Sequence, residues 1–380
     1  MKVCYVLSHF YPYIGGAEQA FMDLILNLVK KGVSVRVVTT SMDGKNDHIN
    51  YKGIDIYYYD WKQLMGHPLP RKKDLYEHIK WADVVNSAVY SPVPIVNRLC
   101  HKLSKPHICD VYEVLGNRWF WIEKNFIKAF MLRTYERYIV RKKCDFYVTS
   151  SCATQTDLKK VNKKSASKCI YWISDNNKKI NKVDRRKFNN YFNVKDDDVI
   201  FLNYGRPGKT KGIFIYLDAI IKVIDSLSLD KLNNIKFCFI MGAQPSSERQ
   251  RFIEVVESRG LSDYIIVRDS VEREDLDNYR MCADYIVVPS ITEGFGLSAI
   301  EACETGKKLI CSNAGSLPEV VFGEVAEFEN KNSDELAKIL IDVINGKNVF
   351  NKKKKKDFSG ETIASEYLEL YKQLIKENSK

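Results

Sequence analysis

Apolar and polar residues along this chain change period repeatedly, from about two to about 3.6 and back. Residues 2–7 (KVCYVL) form a short β-rich apolar run, and the segment Tyr11-Pro12-Tyr13-Ile14-Gly15-Gly16 after it carries turn signals. Phe21, Leu24, Ile25, Leu28 and Val29 then fall on one helical face. Lys30-Lys31-Gly32 closes that helix with cations and a glycine where a C-terminus favours them. Residues 33–39 (VSVRVVT) read as a second strand. Strand, glycine-bearing loop, helix and strand make a βαβ unit, which requires a parallel sheet with a right-handed crossover. Further strands are predicted at 83–86 and 145–149, with a long basic-aromatic helical stretch around 119–143 between them.

A lysine-rich, turn-rich and nearly core-free stretch covers 178–198, and the alternation restarts at 199–205 (VIFLNYG). It continues as helix 212–227, strand 236–241, helix 246–258, strand 264–267, helix 273–282, strand 284–289, helix 296–305 and strand 308–311. In the last helix, 361–378, Ile363, Tyr367, Leu370, Tyr371 and Leu374 share one face, which suits packing back across the first domain. The predicted fold is α/β, with two Rossmann-like doubly wound domains facing across a cleft. The first covers 1–185, the second 195–350, and 358–380 is the returning helix. A length of 380 residues agrees, because single cores rarely grow beyond about 250–300 residues.

Composition narrows the class. With 45% apolar residues the chain is too hydrophobic for a disordered protein, and 19 Gly and 10 Pro are too few for a collagen-like or linker-like one. Ten dispersed cysteines without a Cys-x-x-Cys read as buried free thiols in a reducing cytosol. The apolar run near the N-terminus is too short for a signal peptide, and no stretch reaches the roughly 18 apolar residues of a spanning helix. A cytoplasmic protein, either soluble or peripheral at the cytoplasmic membrane face, is the expectation. The formal charge of +11 is polarised: residues 1–190 carry 33 Lys and Arg against 17 Asp and Glu (+16), while residues 191–380 carry 26 against 31 (−5). Only the first half has reason to meet a polyanion.

Candidate chemistry concentrates in two loops of the second half. In Pro289-Ser290-Ile291-Thr292-Glu293-Gly294-Phe295-Gly296-Leu297 a buried strand runs into a glycine-flexible loop, which opens a helix carrying Glu301 eight positions after Glu293. Glu293 thus belongs at the C-terminal edge of a parallel sheet, where doubly wound folds bind ligands, and paired carboxylates suit sugar hydroxyls. The other loop, 205–212 (GRPGKTKG), ends the first strand of the same domain and lets Arg206 and Lys211 converge on phosphates. A Walker A loop would need glycine at 203, where Asn203 stands. Asp196-Asp197-Asp198 nominally matches a metal-binding Asp-x-Asp but lies just before a strand and reads as a solvated turn. No metal or other cofactor is expected.

Together these segments resemble the retaining glycosyltransferases of family 4, group 1 enzymes of the GT-B fold, over nearly the whole chain. The likeness rests on Gly15-Gly16-Ala17-Glu18, Gly205-Arg206 with Lys211-Gly212, 271–285, the Glu-x7-Glu of Glu293 and Glu301, and Gly315-Ser316-Leu317-Pro318-Glu319-Val320. It implies a nucleotide-sugar donor whose diphosphate meets Gly15, Gly16, Arg206 and Lys211. Glu293 would hold the donor sugar, with backbone contacts from Gly294, Phe295, Gly296 and Leu297. Glu301 would bind the ribose, and Gly242 and Val271 would line the base pocket. Many relatives carry a His-Asp pair facing the acceptor; here Cys109 takes the histidine's place, Asp110 keeps the acid, and Glu113 follows. The segment 118–133, with Trp119, Phe120, Trp121, Lys124 and Lys128, suits an anionic headgroup surface and points to a lipid-linked or cell-surface glycan acceptor. An ordinary core helix with a basic outer face is the plainer reading of the same residues. A catalytically silent sugar-nucleotide binder and a basic nucleic-acid-binding protein are the alternative classes; no nucleic-acid module is present, and none is expected as a partner.

Overall fold

In the computed structural model, which describes residues 1–13, 15–64, 67–89, 92–174, 183–243 and 246–378, the first predicted βαβ unit closes as a parallel pair. Lys2–Val6 lies beside Ser34–Thr40 with Val3 opposite Val35 and Tyr5 opposite Val37, joined by the helix Gly16–Lys30. The chain divides into two units: Met1–Asp175 with Asp357–Lys380, and Asn176–Lys356.

The sheet of the first unit runs Ser167–Cys169, Phe146–Thr149, His107–Val111, Val84–Ala88, Lys2–Val6, Ser34–Thr40, Ile54–Tyr59, Asp47–Tyr51. All neighbours are parallel except the last pair, a hairpin that the apolar pattern did not announce. Both faces are covered, as a parallel sheet requires. Val3, Tyr5, Val35, Val37 and Ile108 pack against the helix Gly16–Lys30 and the C-terminal helix Gly360–Asn378. Cys4, Val6, Val38 and Val85 pack on the other side against Lys72–Trp81 and Val93–Leu103.

The C-terminal helix is fastened by a buried polar network as well as by Ile363, Leu370 and Leu374. Tyr371 shares a 2.6 Å hydrogen bond with Tyr5 and accepts one from Asn86 Nδ2 at 3.0 Å; Tyr367 donates to Asp110 Oδ1 at 2.6 Å. Asp110 Oδ2 and Asn86 Oδ1 are buried acceptors with no donor among the described residues. Burial pushes the Asp110 carboxyl up to about 7, against the opposing pull of the Tyr367 bond. Because the folded value lies above the ordinary 3.8, the folded state binds the extra proton, and stability falls as pH rises from about 4 to 7. Asp110→Asn, which keeps the acceptor for Tyr367 and supplies a donor without charge, is expected to melt higher than wild type at pH 8, by a few kcal/mol in order of magnitude. The gap should close toward pH 4, read by thermal unfolding across that range.

The second unit has the order Ile265–Asp269, Ile235–Met241, Val199–Gly205, Tyr285–Val288, Lys308–Ser312, Gly323–Phe328, Asn351–Lys353, parallel except for the final edge strand. Strand order reverses between Val199–Gly205 and Tyr285–Val288, the topological switch of a doubly wound sheet.

Several expectations change. The stretch read as core-free contains the helix Arg185–Phe192, whose Phe188 and Phe192, one turn apart, are fully buried against Tyr279. The division between units therefore falls near 175, ahead of this helix, rather than at 185–195. The basic-aromatic stretch is two helices, Trp119–Ile122 and Phe126–Val140, the second capped by Asn125 accepting from Lys128 N. Asp198 is buried and caps its own turn through Lys195 N at 2.7 Å. All ten cysteines are free thiols, but Cys152 is exposed and Cys144 and Cys169 only partly covered. Among the described residues no helix is long and apolar enough to cross a membrane.

Candidate active site

Parallel strands deliver their C-terminal ends to one edge, so the loops after Val199–Gly205, Ile235–Met241 and Tyr285–Val288 meet at the switch of the second unit. Arg206 leaves the first of these strands exposed, and its guanidinium makes no hydrogen bond or ion pair among the described residues. Gly242 lies beside it, its N–H bonded to Gly205 O at 3.2 Å, and a Cβ there would stand 3.8 Å from Arg206 Cγ.

The 206–212 loop is stitched to the 289–293 loop. Ile291 N donates to Thr210 O at 2.7 Å, and Gly212, at φ +67°, lies so close to Pro289 that a Cβ would meet its carbonyl oxygen at 1.8 Å. Only glycine permits both that backbone angle and that approach. The result is a contact between the two predicted signatures: Lys211 Nζ pairs with Glu293 Oε1 at 2.5 Å, and Ser290 Oγ donates to the same oxygen at 2.8 Å. The Glu293 backbone is pinned by Ser316 N at 3.1 Å, and Gly315, at φ +54°, leaves no room for a Cβ against Glu293 O.

Gly296, at φ +86°, turns the chain into the helix Leu297–Glu304; Phe295 is buried and Gly294 and Leu297 partly exposed. Glu301 projects from that helix into an arginine clamp. Arg280 Nη1 donates to Oε2 at 2.6 Å and Arg273 Nη2 to Oε1 at 3.3 Å. Arg280 is itself buried, paired also with Asp277 and 3.5 Å from Tyr204 Oη. Val271 is partly exposed in the loop before the helix Arg273–Cys282. Arg280, Tyr204 and Ser290 are site residues that the sequence reading missed. Ser290 was within reach, three positions before Glu293; Arg280 and Tyr204 carry no local signal, since they reach Glu301 and its helix only through packing.

In the first unit, Gly15 caps the helix Gly16–Lys30 in extended backbone, and a Cβ there would stand 2.2 Å from Glu18 Oε2. Asp110 and Cys109, expected to face an acceptor, are both buried in this fold. Successive residues of His107–Val111 point to opposite faces. Asp110 turns under the C-terminal helix and Cys109 into the opposite core with Val111 and Tyr147, both with almost no exposure. The Cys109 thiol is held well above its ordinary pKa by its hydrogen bond with Cys144 and by burial. His107 is equally deep, 2.8 Å from Ser87 Oγ. Glu113 is partly exposed. Trp119 and Phe120 are half-buried; Trp121, Lys124 and Lys128 are exposed, Lys128 paired with Glu123 at 2.6 Å.

Two doubly wound units, one bearing at its switch point a Lys–Glu pair and a cation with no partner among the described residues, the other closed by the chain's last helix, define a two-domain α/β protein of the GT-B class. The family described as "Glycosyl transferases group 1" matches residues 184–361 and the family "Glycosyltransferase Family 4" matches residues 14–171; the chain belongs to the group 1 glycosyltransferases. It is 25% identical to the uncharacterized glycosyltransferase MJ1607 of Methanocaldococcus jannaschii over 98% of both chains. A 41.2 kDa protein of the Klebsiella pneumoniae cps region is 31% identical over 50% of this chain and 54% of that one. Among solved structures, sucrose-phosphate synthase from Thermosynechococcus elongatus superposes with a TM-score of 0.73 at 19% identity, covering 98% of both chains. Anabaena Alr3699/HepE, solved with UDP and glucose, gives 0.68 at 15% identity over the whole of both chains.

Proposed function

We propose that the chain transfers a sugar from a nucleoside-diphosphate donor to an acceptor hydroxyl with retention at the anomeric carbon, the acceptor being a lipid-linked or cell-surface glycan precursor. The observation that carries this reading is the exposed Arg206, without a partner among the described residues, beside the Lys211–Glu293 pair at the switch of the second unit. Departure of a diphosphate leaves an oxocarbenium-like sugar, so cations fixed on the phosphates lower the barrier. Arg206 supplies a planar fork and Lys211 a point charge, which together do the neutralising a divalent ion would otherwise do. Glu293 accepts from the donor sugar's hydroxyls, and Glu301, aimed by Arg280, from the ribose. The acceptor hydroxyl attacks the face the diphosphate leaves, its proton passing to the departing phosphate, so no protein nucleophile is needed. UDP and UDP-glucose in Anabaena HepE are in keeping with such a donor.

The test is a thermal-shift screen of UDP, GDP and ADP and their sugars, followed by transfer assays with the stabilising donor and a lipid extract. One nucleotide at 100 times its Kd should stabilise the protein by about 2.7 kcal/mol, a rise of several degrees. No shift with any of them sinks the reading.

A further inference from the structure

The helix Phe126–Val140 shows an unusual outer face. Phe126 and Ile127 are 71% exposed, Phe130 52% and Met131 49%, on two successive turns, with Trp121 exposed on the short helix before them. Beside this face lies a cavity of about 370 Å³ lined by Arg118, Arg133, Arg137 and Lys160, with Asp157 its single carboxylate. Arg118 and Lys160 both bond Asp157, at 2.6 and 2.8 Å, and Arg133 Nε donates to Asn117 Oδ1 at 2.8 Å. The Arg137 guanidinium has no hydrogen-bond or ion-pair partner among the described residues. Four cations around one carboxylate leave a surplus that a multi-oxygen anion fits, with the Arg137 fork free to take two of its oxygens.

We propose that this face docks on an anionic membrane: the apolar side chains enter the boundary between headgroups and acyl chains, and the cavity takes a lipid phosphate. Aromatic and aliphatic side chains ringed by cations match that interface. Residues 114–161 carry ten Lys and Arg against four Asp and Glu, so a second copy seated symmetrically here would set like charge against like. The inference deepens the proposed lipid-linked acceptor and rests on it, but its test needs no turnover.

The full chain is sedimented with vesicles of phosphatidylcholine alone and of phosphatidylcholine with phosphatidylglycerol at 3:1. It should pellet with the anionic vesicles only, and its tryptophan emission should shift to the blue. Arg137→Gln and Phe130→Ser should each weaken binding about fivefold while leaving stabilisation by the nucleotide intact; Met131→Ser replaces the second variant should it fail to fold. Equal binding to both vesicles, or binding untouched by both variants, overturns the proposal. So does a dimer that Phe130→Ser dissociates, or a melting rise with inorganic phosphate, abolished by Arg137→Gln, without vesicle binding. Stabilisation by a nucleotide without vesicle binding defeats this inference alone; vesicle binding without any nucleotide effect supports it and defeats only the transferase reading.

Discussion

Glu293→Ala is expected to lose sugar transfer by two to three orders of magnitude while keeping, or strengthening, its hold on the bare nucleoside diphosphate. The two effects have one cause. Glu293 Oε1 receives both Lys211 at 2.5 Å and Ser290 at 2.8 Å, so on the proposed reading the acid partly neutralises the cation that the phosphates need. Removing the carboxylate frees Lys211 for the leaving group but deletes the acceptor for the donor sugar's hydroxyls. A preorganised charged partner at the reacting centre is commonly worth about 10²–10³ in kcat. Lys211→Ala should do the converse, weakening nucleotide binding and turnover together. Initial rates with the stabilising donor and titration calorimetry with its nucleotide measure the split. A Glu293→Ala enzyme with near-normal kcat would remove Glu293 from the chemistry; parallel loss of nucleotide affinity would show that Lys211 and Glu293 act as one structural pair.

Arg280→Met should carry the largest stability loss. Arg280 is buried, holds Glu301 at 2.6 Å and Asp277, and lies against Tyr204, whose hydroxyl donates to Ser298 O at 2.6 Å. Removing it leaves two mostly covered carboxylates facing each other's field, and breaking such a pair costs about 3–5 kcal/mol. Arg273 is half exposed and its 3.3 Å contact with Glu301 is longer than that of Arg280, so it compensates little. The same substitution lets the Glu301 side chain swing and should raise the Kd for nucleotide about tenfold. Chemical denaturation and calorimetry give the two numbers. Adding Glu301→Gln to Arg280→Met should recover part of the stability without recovering affinity, which separates the electrostatic cost from the positioning role.

Much of the candidate site is legible in the sequence. Arg206, Lys211 and Glu293 follow strands by a few residues, and in a parallel sheet the strand ends alone bring such loops together. The glycines at 212, 296 and 315 mark the same loops, and each has a positive φ. What escaped the sequence depends on partners far along the chain. The acid at 110 has a strand's alternation on either side, and nothing local says which face receives the C-terminal helix; Tyr367, 257 residues away, decides it. Phe188 and Phe192 sit among lysines and asparagines, and nothing in that stretch shows that Tyr279 will cover them.

The sequence by itself determined the α/β alternation, the two-unit organisation and the loops that bear the cations and acids of the candidate site. These are consequences of period, turn chemistry and short-range connection. Tertiary structure alone decided that Asp110 and Cys109 are buried, that Glu301 is aimed by Arg280, and that Phe126, Ile127, Phe130 and Met131 face solvent beside a basic cavity. Burial is set by what packs on a face from elsewhere in the chain, and no local pattern carries that information.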